Sequence, residues 1–422
     1  MTNSAASARS SAPSLAPAPA PSPAPPPTEH DVFRKMLPIA SAVFVGFLTI
    51  GLPLPVLPLH LHFTLGLSPV IVGVAVGAQF AAALLSRAWA GGFADVSGAK
   101  RAMMIGLVIA AISGLAYLAS LAFMASPVTS LGVLLIGRVL LGCGESLIIT
   151  GALSWGLGLV GPQHAGKVMA WVGIAMYAAY AIGAPLGTLI YGPYGFAGIA
   201  IGTTIIPLLG LAVVAPARAV AASSARRMPF YKVLGTVWLP GLGLLLCGVG
   251  LGVITTFAAL LFAARNWGSA SLAFTAFGVA FIGARLLFAH LPDKIGGGKV
   301  ALVCVLIEAA GQLMIWQADH VLMAYAGAAL TGFGFSLAFP GFGVEAVRRA
   351  PPQSRGAAMG AFIAFLDISL GITGPAAGAI AGASSVGTVY LAGAGAVALS
   401  AIVAVLLIVN PPRAASPMNQ QL

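Results

Sequence analysis

Long apolar runs alternate with short polar breaks along the chain. The alternation predicts twelve spans, at 37–60, 69–92, 102–124, 128–152, 167–191, 195–216, 236–263, 270–290, 299–317, 321–344, 357–380 and 387–409. Runs of roughly 20 residues match the hydrocarbon thickness of a bilayer. They are rich in Leu and Ala and lack strict polar–apolar alternation, so they read as helices rather than strands of a transmembrane barrel. The longest connection, 217–235 (ARAVAASSARRMPFYKVLG), divides the spans six and six. Six is even, so both halves enter the membrane in the same sense and are related by an axis along its normal. The expected organisation is an N-terminal tail (1–33), a six-helix half (34–216), a cytoplasmic linker (217–235), a second six-helix half (236–410) and a C-terminal tail (411–422).

A repeat supports two halves. Residues 87–101 read RAWAGGFADVSGAKR and residues 285–299 read RLLFAHLPDKIGGGK. Arg87 matches Arg285, Asp95 matches Asp293 and Gly98 matches Gly296, each 198 residues apart. Gly166, Met169 and Pro185 match Gly356, Met359 and Pro375 at an offset of 190, a difference that a change in loop length absorbs. A membrane protein made of two copies of one half carries its substrate path between them.

Composition narrows the class. Apolar residues form 59% of the chain and charged residues 7%, against roughly 25% charged in soluble domains. The 54 glycines suit close helix packing in lipid. Cys143, Cys247 and Cys304 all fall inside spans, which argues against a disulfide framework or a metal site. Residues 1–30 are mostly Ala, Pro and Ser and read as a disordered tail, without the basic and apolar regions of a signal peptide. The net charge of +11 is topological: sixteen of the twenty Lys and Arg fall on one side of the spans. That bias places both termini in the cytoplasm. No basic patch with interleaved aromatics is present, so nucleic acid is not an expected partner.

GGFADVSGAKR resembles the loop signature of the Major Facilitator Superfamily, with Gly91, Asp95, Gly98 and Lys100 in its positions. Val96 and Ala99 replace two of its usual basic residues. GRVLLGCGES in span 4 resembles the superfamily's Arg-x-x-x-Gly motif, through Arg138 and Gly142. AYAIGAPLG in span 5 resembles its Gly-Pro antiporter motif, through Gly183, Pro185 and Gly187, with Ala184 in place of a Gly. The run GFGFSLAFPGFGVEAV and the following RGAAMGAFIAFLDISLGITGPAAG resemble a bacterial subgroup labelled arabinose-efflux or YhhS-like. The resemblance implies an all-α integral membrane fold of twelve transmembrane helices in two pseudo-symmetric halves. It implies a secondary active transporter of the bacterial inner membrane, not an enzyme, without a cofactor and monomeric by default. Its expected partners are a small-molecule substrate, protons and the lipid bilayer.

Candidate functional residues follow from charge placed in lipid, which is costly and so points to the bundle interior. Asp367 lies eleven residues beyond Gly356, near the midplane at a helical rise. Burial favours the neutral form of a carboxylate, so Asp367 is a candidate proton carrier, or else a structural partner of an Arg. Glu308, nine residues beyond Lys299, is a second candidate. Arg138 and Glu145 are seven residues apart and share a face of span 4. Arg138 resembles the motif Arg tied to proton coupling, and Glu145 is its counter-charge or a contact for a cationic substrate. Arg138, Glu145, Glu308 and Asp367 are expected to share one mixed-charge cavity. Asp95 and Asp293, with Gly91, Gly98, Gly296 and Lys100, form either a latch between access states or a loop anchored at the headgroups. Arg87 and Arg285 are read as snorkelling or joining that latch rather than contacting the substrate. Gln79, Tyr177 and Tyr180 are cavity candidates. His60 and His62 read as surface residues at the outer end of span 1 rather than metal ligands.

GPQHAGKV (161–168) is a near match to a phosphate-binding loop, but Val168 stands where Ser or Thr is required and no βαβ unit surrounds it. The favoured reading is proton-coupled efflux of a small organic molecule. The alternative is a proton-coupled importer of a sugar or organic acid. More distant is a non-transporting membrane enzyme or receptor, for which no catalytic constellation is evident.

Overall fold

The computed structural model describes residues 29–161, 164–220, 230–350 and 355–410. Its helices are α1 (Glu29–Gly51), α2 (Pro69–Ser97), α3 (Ala99–Ser120), α4 (Pro127–Val160), α5 (165–194), α6 (196–214), α7 (Phe230–Arg265), α8 (Ser271–Phe288), α9 (Gly297–Gln317), α10 (Val321–Arg349), α11 (Arg355–Ala383) and α12 (Val386–Val409). No strand occurs among the described residues.

Helices α5 and α6 form one unbroken helical stretch of 50 residues except at Gly195, whose φ of 57° and ψ of −157° are not helical. Straight, 50 residues would reach about 75 Å, far beyond a bilayer. The chain folds back instead. Val168, early in α5, packs where a Cβ on Gly156 would meet it. Beyond the end of α6, Arg218 accepts a hydrogen bond at its carbonyl from Trp155 Nε1 at 3.0 Å. Both ends of the stretch therefore lie beside residues 155–156, so it is a hairpin of two spans bent at the glycine.

Some boundaries differ from the sequence reading. α1 starts at Glu29, inside the segment assigned to the tail, and stops at Gly51 rather than continuing to residue 60. Pro53, Pro55 and Pro58 lack the N–H that would extend it, and the chain continues through a short helix at Leu57–Leu59 and a π-turn at His60–Thr64. His60 is not on the surface. It is 2% exposed and stacks on Phe196 with ring centroids 4.2 Å apart. α7 begins at Phe230, within the assigned linker. The rest of the linker at 221–229, residues 1–28 and the tail from 411 onward lie outside the described residues.

The repeat reappears as packing. A Cβ on Gly151 or Gly144 of α4 would strike α3 at Ala99 and Met103, or at Gly106 and Ala110. A Cβ on Gly341 or Gly334 of α10 would strike α9 at Gly297 and Ala301, or at Cys304 and Glu308. The α3 and α9 partners differ by 198 residues and the α4 and α10 partners by 190. The eight-residue change thus falls at the α3–α4 connection, which carries an extra turn at Leu121–Phe123. Small residues let these backbones touch, as expected where no hydrophobic effect drives helices together in lipid.

Among the described residues, two helix pairs make most of the contact between the halves. α2 meets α11 where glycine faces glycine, Gly73 on Gly374 and Gly77 on Gly371. α8 meets α5 where Gly278 faces Ala181 and Thr275 Oγ1 donates to the Ala181 carbonyl at 2.7 Å. All of these contacts lie on the side of the membrane away from the chain termini, here the far side. Toward the terminal side the same faces part. A Cβ on Gly173, one turn before Tyr177 on α5, or on Gly360, two turns before Asp367 on α11, would meet nothing within 4 Å. The seam is thus tightly packed at the far-side glycines and out of contact at Gly173 and Gly360.

Candidate functional site

The packed seam between α2 and α11 ends at an ion pair. Arg87 Nη2 and Nε reach Asp367 Oδ2 at 2.5 and 2.6 Å. Asp367 is 5% exposed. These residues lie 280 apart in sequence and tie one half to the other. Asp367 falls on the inner face of α11 because it is four residues before Gly371, one turn from the glycine that α2 touches.

Beside this pair Glu145 Oε2 accepts from Gln79 Nε2 at 2.7 Å, joining α4 to α2. Asp367, Arg87 and Arg138 all lie within electrostatic range of Glu145. Arg138 is not bonded to Glu145. Its Nε and Nη2 donate to the carbonyls of Ala75 and Val76 at 3.0 and 3.1 Å, and its Nη1 to the Tyr117 hydroxyl at 3.4 Å. A buried guanidinium here anchors α4 to the α2 backbone. Charge-to-carbonyl bonds of this kind offset its desolvation.

The second half places different chemistry at the matching positions. Under the two offsets Arg87 corresponds to Arg285, Gln79 to Phe277, Glu145 to Phe335 and Asp367 to Tyr177. These residues come together in space. Tyr177 packs on Phe281 with centroids 3.8 Å apart, and on Phe277 and Phe335 at 6.0 and 6.2 Å. The Arg285 guanidinium lies 5.1 Å from the Phe281 centroid. Its Nη2 donates to the Ser336 carbonyl at 2.7 Å, and its buried Nε has no hydrogen-bond partner among the described residues. Tyr180 stands T-shaped to Tyr177 at 5.7 Å. One side of the seam is thus acidic and amide-bearing, the other aromatic, with an arginine on each.

The remaining candidates lie apart. Glu308 is fully buried inside the second half, against Gly250 and Gly334, and neither of its oxygens has a hydrogen-bond partner among the described residues. Glu308 lies within electrostatic range of Tyr177 but outside the cluster of Arg138, Glu145 and Asp367, so the single mixed-charge cavity expected to hold all four does not form. Asp95 is half-buried in the last turn of α2, and Asp293 is exposed in a short helix at Leu291–Ile295. Gly98 and Gly296, with φ of 93° and 101°, make the matching turns that open α3 and α9; such angles favour glycine. Gly91 is buried in α2. Lys100 Nζ holds the end of α6 through the carbonyls of Ala215 and Ala217 at 2.8 and 2.7 Å. In the antiporter-like motif Gly183 packs on Gly51 at the end of α1 and Gly187 on Leu52 just beyond it, with Pro185 between them inside α5.

Glu345, which the motif reading passed over, bonds to Arg349 at 2.5 Å and accepts from the Gly298 amide at 3.3 Å. Arg349 Nη2 in turn donates to Asn410 O at 2.9 Å, so α9, α10 and α12 are tied at the terminal face. The spacing of Glu345 to Arg348 and Arg349 was the signal for it. A groove of about 550 Å³ between α3 and α6, beside Arg101 and Ala215, lies on the outer surface, away from the ion pair and the aromatic cluster.

The family model for the Major Facilitator Superfamily matches this chain twice, over residues 39–263 and 241–420. An MFS-type transporter of Salmonella typhimurium is 42% identical over 381 residues, covering 90% of this chain and 98% of the relative. The MFS-type transporter YhhS of Shigella flexneri is 42% identical over 378 residues, covering 90% and 93%. Among solved structures, a point mutant of the nucleoside transporter NupG superposes with a TM-score of 0.72 at 16% identity, covering 88% of this chain and 99% of that one. The human organic anion transporter MFSD10 gives 0.67 at 15% identity, with the same coverage. These solved structures share the fold. With the family model spanning both halves and the relatives nearly the whole chain, this multi-pass membrane protein belongs to the Major Facilitator Superfamily of transporters, in its YhhS-like subgroup.

Proposed function

We propose that this transporter exports a small organic molecule across the bacterial inner membrane in exchange for protons, by alternating access between its two halves. The observation that carries the reading is the Arg87–Asp367 pair, a titratable carboxylate bridging the halves where the packed seam ends. Asp367 takes up a proton when the halves part on the far side and Arg87 moves away. It gives the proton up on the terminal side when the pair re-forms, as here. Each protonation state thereby favours one access state, which is the requirement for coupling. Glu145, hydrogen-bonded to Gln79 in the same cluster, is a second carboxylate through which the proton passes. The excess of Lys and Arg on the terminal side orients that side to the cytoplasm. Export follows from the likeness of Arg138 and the Gly183–Pro185–Gly187 segment to antiporter motifs, and the chain works as a monomer.

Everted membrane vesicles test this. Their lumen is acidified, and sugars, organic acids and cationic drugs are added outside. Compound-triggered loss of lumenal acidity, absent in Asp367→Asn, is the expected result. The same response in the variant would remove Asp367 from coupling. No response to external compounds, with acidity lost only when the compound is loaded in the lumen, would reverse the direction to import.

A further inference from the structure

The aromatic side of the seam points to a substrate class, and this inference rests on the transport reading above. At the acidic side Arg87 meets a carboxylate from the opposite half. At the matching place Arg285 keeps its guanidinium, but the positions of Asp367, Glu145 and Gln79 are taken by Tyr177, Phe335 and Phe277. The fold has kept the cation and replaced both acids at the positions that would pair with it; Glu145 and Glu308 lie within electrostatic range of Tyr177 but neither bonds to Arg285. The guanidinium is anchored on one side by the Ser336 carbonyl, and Ser336 is itself fixed by its hydroxyl donating to the Phe281 carbonyl at 2.8 Å. Arg285 Nε remains a buried donor with no partner among the described residues. Leaving such a donor unmet is costly, more so when it is charged. The Tyr177 hydroxyl, from the other half, lies within electrostatic range of the guanidinium. Around it stand flat rings from both halves: Tyr177 from α5, Phe277 and Phe281 from α8, and Phe335 from α10.

We propose that Arg285 is the substrate's anion contact, and that the transported compounds are organic carboxylates carrying a flat apolar or aromatic body, which lies against Tyr177, Phe277, Phe281 and Phe335. The substrate carboxylate takes the role at Arg285 that Asp367 plays at Arg87. A neutral compound of the same shape leaves the guanidinium unmet. A small aliphatic acid lacks the body that stacks on the rings. The site lies on both halves at the border between the packed and open parts of the seam. Its occupancy therefore bears on which face opens.

Equilibrium dialysis of the full-length protein in lipid nanodiscs, with no proton gradient, tests the assignment. The probes are 2-naphthoate, its neutral counterpart 2-naphthamide, and acetate. A charge-assisted hydrogen bond is worth a factor of about ten or more in affinity. Naphthoate is expected to bind at least about tenfold more tightly than naphthamide, and acetate to bind weakly. Arg285→Gln should bring the two naphthyl probes to equal affinity, while Arg285→Lys retains part of the preference. Tyr177→Asp, which rebuilds the acid found at the matching position, should exclude naphthoate. Equal binding of naphthoate and naphthamide by the wild-type protein overturns the proposal without reliance on any variant. A preference that survives Arg285→Gln but vanishes in Arg87→Gln overturns it too. Dialysis registers no proton movement, so naphthoate selectivity with no proton exchange in vesicles would refute the coupling and leave the subsite standing.

Discussion

Removing the Asp367 charge should release the far-side seam. In Asp367→Asn the Arg87 guanidinium loses its carboxylate while staying mostly out of solvent, at 16% side-chain exposure. Deleting one partner of a buried pair costs about 3–5 kcal/mol. The retained amide oxygen and the partial solvation of Arg87 reduce this to about 2–3 kcal/mol. At about 1.4 kcal/mol per factor of ten, the ratio of far-closed to far-open molecules falls by about 30- to 140-fold. A state favoured about 100 to 1 would come near parity. The readout is a cysteine at Thr275, whose hydroxyl sits in the closed seam against the Ala181 carbonyl. Cys143, half-buried, is first replaced; Cys247 and Cys304 are buried. An impermeant maleimide added from the far side should label Thr275→Cys much faster in the Asp367→Asn background. Exchanging the charges, Arg87→Asp with Asp367→Arg, should restore slow labelling. Equal labelling with and without Asp367→Asn would refute the reasoning, as would a charge exchange no slower than either single variant.

Three further outcomes are expected. Gly73→Ala places a methyl against the Gly374 carbonyl, so the seam cannot close; far-side labelling at Thr275→Cys should rise and substrate turnover fall. Glu145→Ala strands the Gln79 amide in a dry interior, at about 1–3 kcal/mol, and should lower the thermal unfolding midpoint, whereas Glu145→Gln should largely preserve it. Gly195→Ala forces a side chain into a backbone region used almost only by glycine, at about 1–3 kcal/mol; thermal unfolding should show the loss, while Gly192→Ala, with open space at its Cβ, should not.

The spans, their division six and six, and the duplicated loop were all legible in the sequence. Helix length and apolarity are local properties, and a repeat is visible wherever two offsets hold. Even the α5–α6 hairpin was legible, because no bilayer accommodates 50 residues of straight helix. Partnerships were not. Arg138 and Glu145 share a helix face, yet each bonds to α2, because packing against a neighbouring backbone outweighed the attraction between charges two turns apart. Arg87 meets Asp367 across 280 residues only because glycines at 73, 77, 371 and 374 let α2 and α11 approach. The two offsets already paired Tyr177 with Asp367 and Phe335 with Glu145 in the sequence. That these positions surround an arginine, and so exchange an acidic environment for an aromatic one, was decided by the tertiary structure. Periodicity assigns each helix a face, but the close approach of two backbones decides which faces meet.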